Sequence, residues 1–443
     1  MHRKTPVVPW ASFLVALAVP LSAAAAQTPA QTPAASSGFT VNLPLTFFGE
    51  VRARPEWFSG ATGQPGDQYT YLRSRIGVRF DPTPGARIVV QAQDSRVLGA
   101  ETNTNATAVA ADVFDLHQAY LELYNQSGKL SAAVRAGRQE ISFGNERLIG
   151  VSNWTNTGRT FDAVRVLLSP RATESAPAPA WTATLVGSAV EERGAHFDVP
   201  GTATADHLFA AAYATHTLFG DGLIDGTVLY DRNGHYRAYN DASRTTFDSH
   251  LTTRLGPAPL RAELEGAWQT GRQHVLATGV SQDLEAWLAA ARLATLPFGS
   301  RRAFVGVGAD ILSGDGSPLD GRYSAFATMY PSNHGFYGLM DLIGDPATST
   351  KERGLADVLA NGAIGLTSRS SLRAEVHHFS MMAGTDRPLG WETDLTLPTR
   401  VNRAATVDLG YSAFRADDGA GVVGLANPGR TRSWVYLQLT VGF

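Results

Sequence analysis

The carboxyl-terminal stretch Trp434-Val435-Tyr436-Leu437-Gln438-Leu439-Thr440-Val441-Gly442-Phe443 sets Val435, Leu437, Leu439, Val441 and Phe443 on one face at the strand period of two. Trp434, Tyr436, Gln438 and Thr440 take the other face, and the stretch stops on an aromatic. A last strand with one apolar and one polar face matches the closing strand of an outer-membrane β-barrel. The final strand of a soluble sheet alternates in the same way, so the rest of the chain must decide.

The amino end agrees. His2, Arg3 and Lys4 give a positive start, Trp10 to Leu21 is an apolar run, and Ala24-Ala25-Ala26 supplies an A-x-A cleavage site before Gln27. Residues 1–26 read as a secretory signal peptide, too short and wrongly flanked for a transmembrane helix. Residues 27–38 (QTPAQTPAASSG) form a polar leader, and 39–443 are expected to make one barrel domain. Beyond the leader no apolar run approaches the roughly 18 residues of a spanning helix. An exported chain of this kind can span only by strands, which points to the bacterial outer membrane.

Composition narrows the class further. Cysteine is absent, which excludes a disulfide framework and a thiolate metal site. A net charge of −3 and a pI near 6.4 offer no basic field for nucleic acid. Among 37 cationic residues only Lys4, Lys129 and Lys351 are lysines. Codon bias would produce this, and so would a need for guanidinium forks on carboxylates.

Alternation lays out 18 strands, near 45–56, 69–80, 87–97, 115–125, 130–139, 160–168, 181–190, 207–219 and 223–232, then 246–256, 260–270, 282–295, 302–312, 359–368, 371–380, 392–400, 404–414 and 431–443. Short turn-rich connections such as Asp81-Pro82-Thr83-Pro84-Gly85 and Gly256-Pro257-Ala258-Pro259 take every second place. Longer ones (57–68, 98–114, 140–159, 313–358) take the others, as in an even-stranded barrel with tight periplasmic turns and long outer loops. Leu72, Ile76, Val78 and Phe80 alternate with Arg73, Arg75 and Arg79; Leu121 and Leu123 with Gln118, Tyr120 and Glu122; Leu264 and Trp268 with Glu263, Glu265 and Gln269. A soluble sandwich would turn the charged face outward. A closed barrel turns the apolar face to lipid and the charged face to a watery lumen, and the two termini favour the barrel. The expectation is an all-β transmembrane antiparallel barrel of about 18 strands with a polar, Arg-rich lumen.

One segment breaks parity, because Val134 and Ala136 share a face with Arg138 and Glu140. Either a bulge occurs at Gly137, or the strand leaves the hydrocarbon zone and the residues beyond it turn into the pore, which is the favoured reading. The chain there runs Gly137-Arg138-Gln139-Glu140-Ile141-Ser142-Phe143-Gly144-Asn145-Glu146-Arg147-Leu148, then Trp154-Thr155-Asn156-Thr157-Gly158-Arg159-Thr160-Phe161-Asp162-Ala163-Val164-Arg165. With Arg52-Ala53-Arg54-Pro55-Glu56, Leu72-Arg73-Ser74-Arg75, Gln118-Ala119-Tyr120 and Tyr330-Pro331-Ser332-Asn333-His334-Gly335-Phe336-Tyr337-Gly338, the chain resembles the alginate export family of outer-membrane channels. The resemblance implies an 18-stranded barrel whose Arg-lined constriction, balanced by carboxylates, passes a polyuronate.

A polyuronate carries one carboxylate per sugar, so its pore needs successive weak cationic sites that let it both enter and leave. Arg52, Arg54, Arg73, Arg75, Arg79, Arg135, Arg138, Arg147, Arg159 and Arg165 are candidates for that path. Gln118 and the carboxylates Glu56, Glu122, Glu140 and Asp162 complete the expected lumen set, orienting the guanidinium groups. A purely structural role, ion pairs that rigidify the inner wall, fits the same residues. No catalytic motif, metal site or cofactor is expected: His377 and His378 fall on opposite faces, and Asp310, Asp315 and Asp320 read as a Gly/Asp turn. Three functions remain open: export of an anionic polysaccharide, selective uptake of small anions or sugars, and a barrel enzyme or adhesin. The expected partners are that anionic cargo, outer-membrane lipid, and the barrel assembly machinery through the strand ending in Phe443.

Overall fold

The computed structural model describes residues 44–59, 67–99, 112–125, 128–172, 178–190, 207–218, 221–233, 240–275, 280–317, 320–385 and 387–443. The expected signal peptide (1–26) and polar leader (27–38) lie outside the described residues. Alternating sequence becomes strand throughout: β1 (Leu45–Phe58), β2 (Asp67–Thr83), β3 (Ala86–Leu98), β4 (Asp112–Tyr124), β5 (Leu130–Gln139), β6 (Phe161–Pro170), β7 (Trp181–Val190), β8 (His207–Thr217) and β9 (Leu223–Asn233). The second half comprises β10 (Asn240–Arg254), β11 (Leu260–Val275), β12 (Val280–Thr295), β13 (Phe304–Leu312), the two-residue β14 (Arg322–Tyr323), β15 (Leu355–Gly365), β16 (Ser371–Ser380), β17 (Pro388–Arg400), β18 (Ala405–Ala416) and β19 (Thr431–Gly442). Eighteen long strands pair antiparallel with their chain neighbours, and β14 adds a short parallel pairing to β12.

Closure is made by the last strand. β1 pairs with β2 on one side and with β19 on the other, with Val51 opposite Val441 and Phe58 opposite Trp434. The final residue continues the ladder, since the Phe443 N–H donates to the Gly49 carbonyl at 3.1 Å and the Gly49 N–H to the Phe443 carbonyl at 3.2 Å. Among the described residues every long strand is paired on both sides, as a sheet in hydrocarbon requires.

The faces sort as alternation dictates. Val51, Ile76, Leu121, Val164, Leu264, Trp268 and Leu437 are exposed on the outside, whereas Arg52, Arg73, Glu122, Glu265, Gln269 and Tyr436 are buried inside. The interior is not all polar, however. Phe161, Phe209, Leu229, Leu284 and Leu288 point inward and pack with Ile141, Phe143, Ile149, Phe326, Tyr330 and Tyr337 in one apolar cluster. Two long connections fold into the barrel, and the wall behind them supplies the apolar surface that they need.

At the parity break the ladder runs unshifted through Gly137, with Tyr120 opposite Gly137 and Ala119 opposite Arg138. Gly137 has φ of +122°, and a Cβ there would lie 2.2 Å from the Ala119 carbonyl oxygen, so only glycine fits. The chain turns inward after Gln139, where β5 ends.

Candidate functional site

Residues 140–160, between β5 and β6, and residues 313–317 and 320–354, between β13 and β15, meet inside the barrel. Ile149 and Tyr330 form a parallel bridge. The Gly150 N–H donates to the Tyr330 carbonyl (2.7 Å), and the Ser332 N–H to the Glu146 carbonyl (2.9 Å). Arg159 ties both segments, donating to the carbonyls of Gly150 (3.1 Å) and Pro331 (2.9 Å).

Four arginines of β1 and β2 clamp the first segment. Arg52 donates to the Asn153 and Thr155 carbonyls at 2.6 and 2.7 Å, and Arg73 reaches the same two oxygens at 3.1 Å each. Arg54 holds the Trp154 carbonyl (2.7 Å) and Glu56 (2.6 Å). Arg75 donates to Gln93 (2.6 Å), the Asn153 side chain (3.0 Å) and the Thr157 carbonyl (3.2 Å). A turn presents carbonyls that no helix or sheet satisfies, and guanidinium forks reach several at once. All four are buried behind the segment they grip. Glu50 pairs with Arg73, while Glu140 accepts from His117 (2.9 Å) and lies 3.5 Å from Arg75.

Arg147 anchors the opposite end. It is fully buried, donating to Glu265 (2.8 Å), Asp310 (3.0 Å) and the Tyr337 hydroxyl (2.9 Å). Arg292 joins Asp310 at 2.7 Å. The wall around this anchor is acidic: Asp225, Asp231, Glu265, Asp310, Asp357, Glu392 and Asp394 are buried on β9 to β17. His250 sits between Asp225 (3.0 Å) and Glu263 (3.2 Å), and His377 between Asp357 and Glu375, each at 2.9 Å.

The other expected residues lie apart from the clamp. Arg135 pairs with Glu122 at 2.5 Å and stands over the Tyr120 ring at 4.3 Å. Arg165, opposite Arg135, donates to the Glu140 carbonyl at 3.5 Å, and Gln118 donates to Gln91 at 2.9 Å. Arg79 is half-exposed beside Asp81 (3.2 Å), next to the tight turn. Arg138 pairs with Asp162 (2.8 Å) and Asp115 (3.7 Å), and its register aligns it with outward Val134 and Val164 rather than with the clamp.

Between the inward segments and the wall lie two cavities, of about 560 and 500 Å3. The first is lined by Arg159, Arg244, Gln273, Tyr323, Asp341 and Glu352 among others, the second by Glu146, Asn153, Glu263, Arg292 and Phe336; Ser152, Trp154 and His334 border both. Burial pushes the Glu352 carboxyl above its ordinary range; a hydrogen bond from Tyr323 opposes this and nearby Asp315 adds to it.

Sequence reasoning missed His117, the partners of Arg147, and His334. His117 had a signal: Leu116 and Ala119 cannot share a face at period two, and the ladder shifts there, with Gln91 opposite Gln118 and Ala92 opposite Leu116. The partners of Arg147 lie more than a hundred residues from it, and so does Trp154 from the His334 ring that stacks on it.

Residues 44–422 match the family model described as alginate export. No curated protein matches the chain by sequence. Among solved structures, a BenF-like porin from Pseudomonas fluorescens Pf-5 superposes with a TM-score of 0.61 at 10% identity, over 90% of this chain and 98% of that one. OccK8 (OprE) of Pseudomonas aeruginosa gives 0.58 at 10% identity, with coverage of 90% and 98%. OccK2 (OpdF) of the same organism, in complex with glucuronate, gives 0.56 at 12% identity, with coverage of 90% and 96%. At such identities the likeness is one of fold.

Proposed function

The chain belongs to the alginate export family, and on that premise we propose that the outer-membrane channel it forms passes an anionic polysaccharide of the alginate type by diffusion. The observation that carries this reading is the crowding of Arg52, Arg54, Arg73, Arg75, Arg135 and Arg165 on the inner side of β1, β2, β5 and β6. Guanidinium charges in a low-dielectric wall act across the lumen even where a loop covers them. A uronate chain moving past them meets several weak attractions and no single tight one, because Glu50, Glu56, Glu122 and Glu140 partly balance them. Assembly is expected to use β19 and the Phe443 that follows it, read by the barrel assembly machinery.

Single-channel recording in planar bilayers tests the reading. Oligouronates of increasing length should block the current, and neutral oligosaccharides of equal length should block it far less. Equal block by both would remove the charge-based cargo assignment.

A second reading, selective uptake of a small anionic sugar, is favoured by one observation. The two cavities, of about 560 and 500 Å3, fall in the size range of small-molecule sites rather than of an open tube. The glucuronate complex of a structural neighbour fits the same cargo chemistry. Saturable block by a monouronate, with no further gain from longer chains, would favour uptake over export.

A further inference from the structure

Trp154 and His334 stand where the two cavities adjoin, together with Ser152. On β11 one cavity touches Gln273 and the other Glu263, about 30 Å apart along the strand. The cavities therefore lie in series along the barrel, and these side chains are the septum between them.

The two rings are held differently. Trp154 is fixed from behind: the Arg54 guanidinium lies 3.8 Å from its ring centroid and binds its carbonyl, and Trp434 and Tyr436 meet it edge-on at 5.9 and 5.1 Å. Its other face carries the His334 imidazole, stacked at 3.9 Å and within 5° of parallel. His334 belongs to the single turn Asn333–Gly335, and the Asp341 carboxylate holds its Nδ1 at 2.9 Å.

We propose that this face of Trp154 is a stacking subsite for a pyranose ring of the cargo, with His334 as the side chain that fills it when no sugar is there. The inference rests on the saccharide reading of the channel. An aromatic face carries negative quadrupole density, which the guanidinium on one side complements, while the flat imidazole covers the other side by stacking. The C–H face of a pyranose, apolar and edged with partly positive hydrogens, complements it in the same way. Rotation of one side chain would uncover the platform, whereas Trp154 is fixed by four arginine-clamped carbonyls around it. Arg159 and Arg244 line the adjoining cavity, where the carboxylate of a uronate bound next to the septum would lie.

The test compares wild-type, His334→Ala, His334→Phe and Asp341→Asn channels with the double variant Trp154→Leu/His334→Ala in planar bilayers, each verified as assembled by its heat-modifiable band. In KCl alone, H334A should conduct more than wild type, D341N should move the same way, and H334F should fall back from the H334A value because a ring again covers Trp154. Oligouronate dwell times should lengthen roughly two- to tenfold in H334A, and the double variant should lose that gain while keeping the raised conductance. Neutral oligosaccharides of equal length provide a second dwell-time series. If they dwell as long as uronates, the anionic cargo reading fails while the subsite stands. Unchanged conductance in both H334A and D341N, or an equal dwell for every saccharide with and without Trp154, would overturn the proposal.

Discussion

Arg147 concentrates the problem of reading this chain at the scale of one residue. Its charge and its neighbourhood in a lumen-directed segment are legible, but its partners Glu265, Asp310 and Tyr337 stand on distant strands and on the second inward segment. No local pattern links them. The burial is complete on all sides, so the guanidinium is an anchor rather than a docking point for cargo. Replacing Arg147 with Met leaves Glu265 and Asp310 as a buried pair lacking that cation, and the loss of one partner in such a site costs about 3–5 kcal/mol. The expected outcome is an assembled barrel that unfolds at lower urea by tryptophan fluorescence and conducts more in KCl, because 140–160 loses its hold on the wall. Unchanged conductance with unchanged urea stability would show that the apolar cluster around Ile149 and Tyr330 holds the segment without Arg147.

At the scale of elements, period-two alternation locates all eighteen long strands, because each has one face in lipid and one inside. The edges drift where a strand outruns its alternation: β10 starts at Asn240 instead of near 246, and β15 at Leu355 instead of near 359. Connections are less legible. Residues 313–354 look like a long outer loop, and their entry into the lumen depends on a bridge to Ile149 that no sequence period announces. Residues 140–160 announce themselves by the parity break, although the inward turn comes after Gln139 and leaves Arg138 on the outer register beside Asp162. The way these elements are held leads to two expectations. Changing Arg52 and Arg73 together to Ala removes four hydrogen bonds to the Asn153 and Thr155 carbonyls. The assembled double variant should show larger, noisier single-channel currents and faster proteolysis near Asn153, while its heat-modifiable band persists. Deleting Phe443 instead removes the last ladder pair with Gly49. That change should lower the amount of assembled barrel in outer-membrane fractions, and full assembly would show that closure does not need this pair.

Across the whole molecule, a net charge of −3 conceals a segregation around the barrel. Arginines gather on β1, β2, β5 and β6, while buried carboxylates gather on β9 to β17, a split legible only once the strand order is known. The resulting field runs across the lumen, so ion selectivity depends on the small surplus beside the water path and not on the total. Cl⁻ is expected to be preferred over K⁺, and a K⁺ preference in a salt gradient would count against a polyuronate cargo. Glu352 makes this preference pH-dependent. It lines the cavity shared with Arg159 and Arg244, and burial raises its carboxyl above the ordinary range, against the hydrogen bond from Tyr323 and with help from Asp315. A raised value means that the group takes up its proton at a higher pH than ordinary carboxylates do. Lowering the pH from neutral should therefore remove this negative charge before ordinary carboxylates are protonated and move the reversal potential further toward anion preference. Glu352→Gln keeps an oxygen to accept from the Tyr323 hydroxyl, which lies 3.2 Å from Glu352 Oε1. This variant should show the stronger anion preference already at neutral pH, with a smaller further change on acidification than the wild type. An E352Q channel whose pH profile matches the wild type would take Glu352 out of the selectivity path.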